Sequence, residues 1–273
     1  MRWGMVIDLA RCVGCQTCTI ACKQEHALPF GHVWRFVVDS EAGEYPNVTR
    51  TFLPMQCMHC AAPPCVPVCP TGASRQRADG IVWIEYDLCV GCGYCAVACP
   101  YHARHLIDGA AGYFESATPS ETTTAQPKRH GVMTKCTFCK DRIDGGLAQG
   151  LTPGVDADAT PMCAVACITN AIVFGDLDDP RSRVRRLIAA TGAGPLMPEC
   201  DTEPSVYYIA PGSRRSELIV EDSRRETNGF DGVAAMTNDQ DADVAWLAGL
   251  QRAQHLETDI WQRAVVWLPP FGG

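Results

Sequence analysis

The 273 residues are 47% hydrophobic and 20% charged, the balance of a globular chain with one compact domain plus extensions, or two small domains. A formal net charge of −8 argues against nucleic acid as a partner, and no apolar run approaches the about eighteen residues that span a bilayer. The opening Met1-Arg2-Trp3-Gly4-Met5-Val6-Ile7-Asp8 lacks the basic, apolar and small-residue regions of a secretory signal, which speaks against a secreted disulfide scaffold for the seventeen cysteines.

Trp3 to Leu9 reads as a short strand, and it leads into Cys12, Cys15, Cys18 and Cys22. A second group follows, Cys57, Cys60, Cys65 and Cys69. Ile81 to Tyr86 reads as another strand and leads into the third group, Cys89, Cys92, Cys95 and Cys99. Gly109 to Gln126, with Thr122-Thr123-Thr124 and scattered Ser, Pro and Gly, reads as a polar surface loop. The fourth group, Cys136, Cys139, Cys163 and Cys167, is opened by a Gly/Pro/Asp-rich stretch that reads as an inserted loop, and Ala171 to Phe174 follows as a strand. Arg181 to Ala190 reads as a short helix and Val206 to Ile209 as a strand. Ser213 to Asp243 is polar, and Trp246, Trp261 and Trp267 lie in the last stretch of the chain. Asp241 to Leu256 places Val244, Leu247 and Leu250 on one helical face, before Ile260 to Leu268 and the stop at Pro269-Pro270.

The spacing defines the chemistry. Groups one and three are C-x2-C-x2-C-x3-C; group two stretches one gap. One tight loop directs three thiolates onto three irons of a cubane, and the fourth must approach from elsewhere; in two-cluster ferredoxins it comes from the other motif. Pro70 and Pro100 follow the last cysteines of groups two and three, while Gly14, Gly91 and Gly93 let backbone N–H groups approach the sulfides. Structural zinc prefers two C-x2-C pairs a dozen or more residues apart, which suits group four alone and not the others. Cys200 is left over as a buried or half-buried thiol. His59, His102 and His105 are read as surface or hydrogen-bonded histidines, and Arg11, Lys23, Lys135 and Lys140 as offsets to cluster charge. No dinucleotide fingerprint, P-loop or nucleophile elbow occurs, so no catalytic site of its own is expected.

The opening Met5-Val6-Ile7-Asp8, Gln56-Cys57-Met58-His59-Cys60 with Pro63-Pro64-Cys65, Asp79-Gly80-Ile81-Val82, Cys99-Pro100-Tyr101 and Lys135-Cys136-Thr137-Phe138-Cys139 resemble one family. The chain looks like the four-cluster iron–sulfur subunit of molybdopterin oxidoreductases of the dimethyl sulfoxide reductase superfamily, with good coverage to about residue 180. The resemblance implies an α+β fold of two pseudo-symmetric bacterial-ferredoxin-like modules, each with two cubane clusters, plus loop insertions and an extended C-terminal arm. One module would span 1–50 and 127–180 and hold groups one and four; the other would span 51–108 and hold groups two and three. Residues 109–126 would be a surface insertion and 181–273 a C-terminal extension and docking arm. The implied ligand sets are crossed: Cys12, Cys15, Cys18 and Cys167 for cluster 1; Cys136, Cys139, Cys163 and Cys22 for cluster 2. Cluster 3 would take Cys57, Cys60, Cys65 and Cys99, and cluster 4 Cys89, Cys92, Cys95 and Cys69. Cys92 stands where some nitrate-type members carry Trp and a [3Fe–4S] centre, so four [4Fe–4S] clusters are implied.

The partners implied are a molybdopterin-containing catalytic subunit and a membrane anchor subunit with a quinone site, with no nucleic acid and no membrane span in this chain. Competing readings are a subunit of a hydrogenase or formate-oxidising complex, a free-standing polyferredoxin, which the long tail disfavours, and a zinc module. The expected location is the cytoplasmic side of the inner membrane. The alternative is the periplasm, reached by co-export with a partner that carries a twin-arginine signal.

Overall fold

The computed structural model describes residues 1–107, 109, 114, 116, 118–124 and 126–211. The expectations for 212–273, the apolar arm among them, lie outside the described residues. In chain order the strands and helices are β1 (Trp3–Asp8), α1 (Thr17–Glu25), β2 (Phe36–Glu44), β3 (Asn47–Met55), β4 (Ser74–Gln76), β5 (Val82–Ile84), α2 (Tyr94–Val97) and β6 (His105–Ile107). They continue with α3 (Pro119–Thr124), β7 (Val132–Thr134), α4 (Lys140–Ala148), α5 (Met162–Val165), β8 (Ile172–Asp176), α6 (Arg183–Thr191), β9 (Gly194–Pro195) and β10 (Val206–Ile209).

Strand β1 organises the sheet because it is buried on both faces. The sheet runs β8-β1-β10-β9, with β8 antiparallel and β10 parallel to β1. Trp3, Met5 and Ile7 face the largest apolar cluster, which also takes Phe138, Phe174, Tyr208 and most of the buried cysteines. Val6 points the other way, into a smaller cluster with Val173, Ile209, Val184 and Leu187, so α6 covers the second face. Helix α6 starts where the Ser182 hydroxyl accepts from Arg185 N–H and stops where Gly192 turns left-handed, a capped start and a glycine stop.

The strand pairs connect the cysteine groups. β8, which leaves group four, lies beside β1, which enters group one. β4, which leaves group two, pairs antiparallel with β5, which enters group three. β6, which leaves group three, pairs with β7, which enters group four, and so links the two pairs of groups. The result is a mixed α/β fold with small sheets.

Four features differ from the sequence reading. The hairpin β2–β3, in register from Phe36↔Met55 to Glu44↔Asn47, went unforeseen and crosses the expected boundary at residue 50. The stretch inside group four is ordered as α4, a short 3-10 turn at Ala157–Ala159 and α5, with Ile143 fully buried. The surface loop contains α3, begun by a capping box: Glu121 N–H donates to the Thr118 hydroxyl, and Thr118 N–H to the Glu121 carboxylate. Within the stretch expected as a C-terminal extension, β9 and β10 join the sheet and α6 covers one of its faces.

Candidate cluster sites

Each group opens on the same local device. The second residue between its first two cysteines holds a left-handed backbone: Gly14 (φ 68°), His59 (φ 45°), Gly91 (φ 69°) and Phe138 (φ 54°). This turn curls the chain so that successive thiols and N–H groups face one centre. Glycine is required at Gly14, where a Cβ would stand 2.4 Å from the Phe52 ring, and at Gly91, where it would stand 2.4 Å from the Gly131 carbonyl. Groups two and four make the turn without glycine. Their two exceptions, His59 and Phe138, stack on one another with centroids 3.7 Å apart and planes at 22°, both fully buried. His59 Nδ1 accepts from Val82 N–H at 3.1 Å, so it is the hydrogen-bonded histidine the sequence suggested.

A second device closes three of the groups. Three residues after the last cysteine, Gly72, His102 and Asn170 have positive φ, and each N–H bonds back to that cysteine's carbonyl at 3.0–3.2 Å. The reversal sends the chain into β4, β6 and β8. In groups two and four the chain entering the next strand then donates to the sulfur, Ser74 N–H to Cys69 Sγ at 3.4 Å and Ala171 N–H to Cys167 Sγ at 3.2 Å. Burial alone would raise the Cys69 thiol, but Ser74 N–H and the Thr71 hydroxyl bring it below its ordinary value.

The structure gathers cysteines from distant groups. Burial pushes the Cys12 thiol up, and Cys18, Cys167 and Cys15 add to the shift against the opposing Gly14 N–H. Cys22 is raised strongly by burial and then by Cys136, Cys163 and Cys139. Cys60 is pushed up to about 12 by burial, then by Cys57, Cys65 and Cys99. Cys95 is raised by burial against Arg104, with Cys65 and Cys89 adding, and Cys69, Cys89 and Cys95 share one apolar cluster. Cys92 stands at the surface and Cys200 is half-buried, the latter as expected.

These surroundings fit an iron–sulfur core. On their own these buried, clustered thiols hold their protons, because thiolates there would be desolvated and would repel one another; a cationic core is what would bind them as thiolates. Among the described residues no three His, Cys, Asp or Glu converge closely enough to hold one metal ion. A cubane asks for a wider cage, because it takes one thiolate at each iron. Sulfides would also accept from buried donors that lack a protein acceptor: Arg35 Nε and Nη2, and Arg104 Nη1.

Basic residues line the cages, and the ones that matter most escaped the sequence reading. Arg35 is 1% exposed; burial disfavours its charge, but Cys163 and Cys18 more than reverse the effect. Its Nη1 lies 3.5 Å from Cys163 Sγ. Arg104 is 5% exposed, donates to Cys65 Sγ and to the Ser74 hydroxyl, both at 2.8 Å, and is raised against its burial by Cys65, Cys57 and Cys95. Lys135, expected to offset charge, is buried; burial lowers its pKa while Cys57, Cys136 and Cys65 oppose that. Lys23 is instead spent on the carbonyls of Pro29 and His32, and Lys140 pairs with Asp141. His26 Nε2 lies 3.2 Å from Cys139 Sγ, and burial, then Arg129, hold its pKa down to about 4. Arg35 and Arg104 carry no motif; only their place near cysteines of remote groups marks them.

Four cysteine turns of this kind on small sheets define a ferredoxin-type iron–sulfur protein. Two family descriptions, each named 4Fe-4S dicluster domain, match residues 6–73 and 48–118. The B component of the selenate reductase of Mesobacillus selenatarsenatis is 42% identical over 224 residues, covering 77% of this chain and 72% of the relative. The B component of the sulfite dehydrogenase of Allochromatium vinosum is 37% identical over 263 residues, 89% of this chain and 98% of the relative. The menaquinone reductase iron-sulfur cluster-binding subunit of Nitratidesulfovibrio vulgaris is 35% identical over 227 residues, 77% and 89% of the two chains. The chain belongs to this family of iron–sulfur subunits of oxidoreductases, and it is a carrier of four [4Fe–4S] clusters.

Proposed function

We propose that this chain is the electron relay of a membrane-associated oxidoreductase, passing single electrons through four [4Fe–4S] clusters between a molybdopterin catalytic subunit, holding molybdenum or tungsten, and a quinone-reactive membrane subunit. The names of the selenate, sulfite and menaquinone relatives support that placement. The chain performs no substrate chemistry itself. Its two modules hold groups one and four and groups two and three, and the pairing of β1 with β8 and of β4 with β5 supports that grouping. Ligation is crossed: Cys12, Cys15, Cys18 and Cys167; Cys22, Cys136, Cys139 and Cys163; Cys57, Cys60, Cys65 and Cys99; Cys69, Cys89, Cys92 and Cys95. The mutual influence of Cys12 with Cys167, and of Cys22 with Cys136, Cys139 and Cys163, supports the first two sets.

One observation carries the relay. Of the seventeen cysteines only Cys15, in group one, and Cys92, in group three, are exposed. Exposed apolar side chains flank both: Val13 and Ile20 beside Cys15, and Val90, Tyr94 and Val97 beside Cys92. Two surface outlets with buried thiols between them suit a wire with an entry and an exit. The group-one outlet faces the catalytic subunit and the group-three outlet the membrane subunit. Val13→Glu should lower recovery of the catalytic subunit from the native complex, and Val97→Glu recovery of the membrane subunit, with iron content unchanged in both. Full recovery of both partners in both variants would sink this assignment. Among the described residues no helix is long and apolar enough to cross a membrane, and the attachment proposed is through the membrane subunit. The proposed location is the cytoplasmic face; if protease added outside spheroplasts digests this chain, that location is refuted in favour of co-export.

A further inference from the structure

The proposed relay sets four clusters in a row, those of groups one, four, two and three in that order, with three junctions, and a buried cation stands near thiols from both sides of each. Arg35 lies 3.5 Å from Cys163 Sγ, and Cys18 bears on its charge as well. Arg104 lies 2.8 Å from Cys65 Sγ, and Cys95 bears on its charge as well. Cys18, Cys65, Cys95 and Cys163 are the third cysteines of groups one, two, three and four, so the two arginines occupy equivalent places: each joins the third thiols of the two groups in its own module. Lys135 Nζ donates to the carbonyls of Val82 and Cys136, and Cys57 and Cys136 both act on its charge. Those are the first cysteines of groups two and four, one from each module.

The three cations share a second property. Among the described residues none of them pairs with a carboxylate; the ion pairs engage other residues. A buried charge with no counter-ion is strongly disfavoured, so these three cations call for an anion close by in the working protein. The thiolates and the cluster sulfides are that anion. The donors of Arg35 and Arg104 that lack a protein acceptor are the groups a sulfide would engage.

We propose that Arg35, Lys135 and Arg104 are a row of fixed positive charges, one at each cluster-to-cluster junction, that raise the reduction potentials of the two clusters each one separates. A reduced cluster gains one negative charge, and a cation between two clusters stabilises that charge on either side and screens reduced neighbours from each other. The inference rests on the four-cluster reading. It does not depend on crossing, because the first and third cysteines belong to the same clusters whether or not the last ones cross.

The test is an anaerobic redox titration of the full complex followed by electron paramagnetic resonance, with signals assigned through Cys12→Ser, Cys136→Ser, Cys57→Ser and Cys89→Ser. Arg35→Gln should make the group-one and group-four clusters at least tenfold harder to reduce, about 59 mV each for a one-electron couple, and leave the other two unchanged. Arg104→Gln should do the same to the group-two and group-three clusters. Lys135→Met should lower one cluster of each module, those of groups two and four. Arg35→Lys and Arg104→Lys should keep parental potentials. No shift, a shift in one cluster alone, or an equal shift in all four would overturn the proposal. If a glutamine variant fails to hold iron, its lysine counterpart decides. Parental iron and potentials support the charge, whereas lost iron or glutamine-like potentials make the arginine a packing residue and end the proposal. A wrong crossing would show in Cys22→Ser and leave these patterns intact.

Discussion

His59 and Phe138 hold left-handed backbones that cost a side-chain-bearing residue about 1–2 kcal/mol each. Each bears that cost because its ring has a use a glycine could not supply: the two rings stack, and Phe138 also meets Phe174 edge-on at 5.4 Å. The contact joins the turn of group two to the turn of group four, so the residues that bend the chain around two sulfur cages also fasten the cages together. Phe138→Gly separates the two effects. It relieves the backbone strain but removes a buried ring, whose loss costs about 3–5 kcal/mol. The expected net result is a loss of about 1–4 kcal/mol, read from the denaturant midpoint of cluster absorbance under anaerobic conditions. A variant as stable as the parent would mean that the stack does not hold the two turns together.

Helix α1 shows how one element can serve two clusters. Cys18 and Cys22 are four residues apart, on one face and about 6 Å apart along the axis. Both are buried, and their surroundings differ: Cys18 acts on Cys12 and also on Cys163, whereas Cys22 responds to Cys136, Cys163 and Cys139. Cys22→Ser should therefore alter the resonance signal that Cys136→Ser also alters and spare the one that Cys12→Ser alters; the reverse pattern would contradict crossed ligation. The sequence made β1, β5, β8, α6 and β10 legible within a few residues, because each is a short apolar run or amphipathic stretch bounded by cysteines, Gly or Pro. The hairpin β2–β3 was illegible for a physical reason. Only its inner half, near Leu53 and Met55, is buried, and its outer half is polar and exposed, so no alternation runs its length. Thr118-Pro119-Ser120-Glu121 did carry a capping-box signal for α3, masked by the polar composition around it. At the sites the sequence displayed the ligands but not their electrostatics. Cysteine spacing is local, whereas Arg35 meets Cys163 across 128 positions and Arg104 meets Cys65 across 39.

At the scale of the whole molecule the sixteen grouped cysteines lead to a stoichiometry. Anaerobically purified protein should carry about sixteen iron and sixteen acid-labile sulfide per chain, four of each per cubane. Stoichiometric zinc without broad visible absorbance would end the cluster reading.

The described residues already account for the sheet, its α6 cover and the cysteine cages, and within them the core is shared with cysteines from all four groups. A core so occupied offers little space for the further apolar material that the sequence places at Val244, Leu247, Leu250, Trp261, Val265, Val266 and Trp267. Those residues lie outside the described part, and their composition suits a docking arm: tryptophan is a favoured anchor in partner interfaces, and such a patch left in water is an aggregation hazard. Insertion into the bilayer fits less well, because the run is short and Arg263 interrupts it. The competing assignment, an arm folded back over the second module, makes the opposite forecast for cluster retention. Truncation after Asn238 should therefore leave iron content near that of the parent while lowering recovery of the catalytic or membrane subunit in a pull-down. Loss of iron with complex formation intact would place the arm in the core instead.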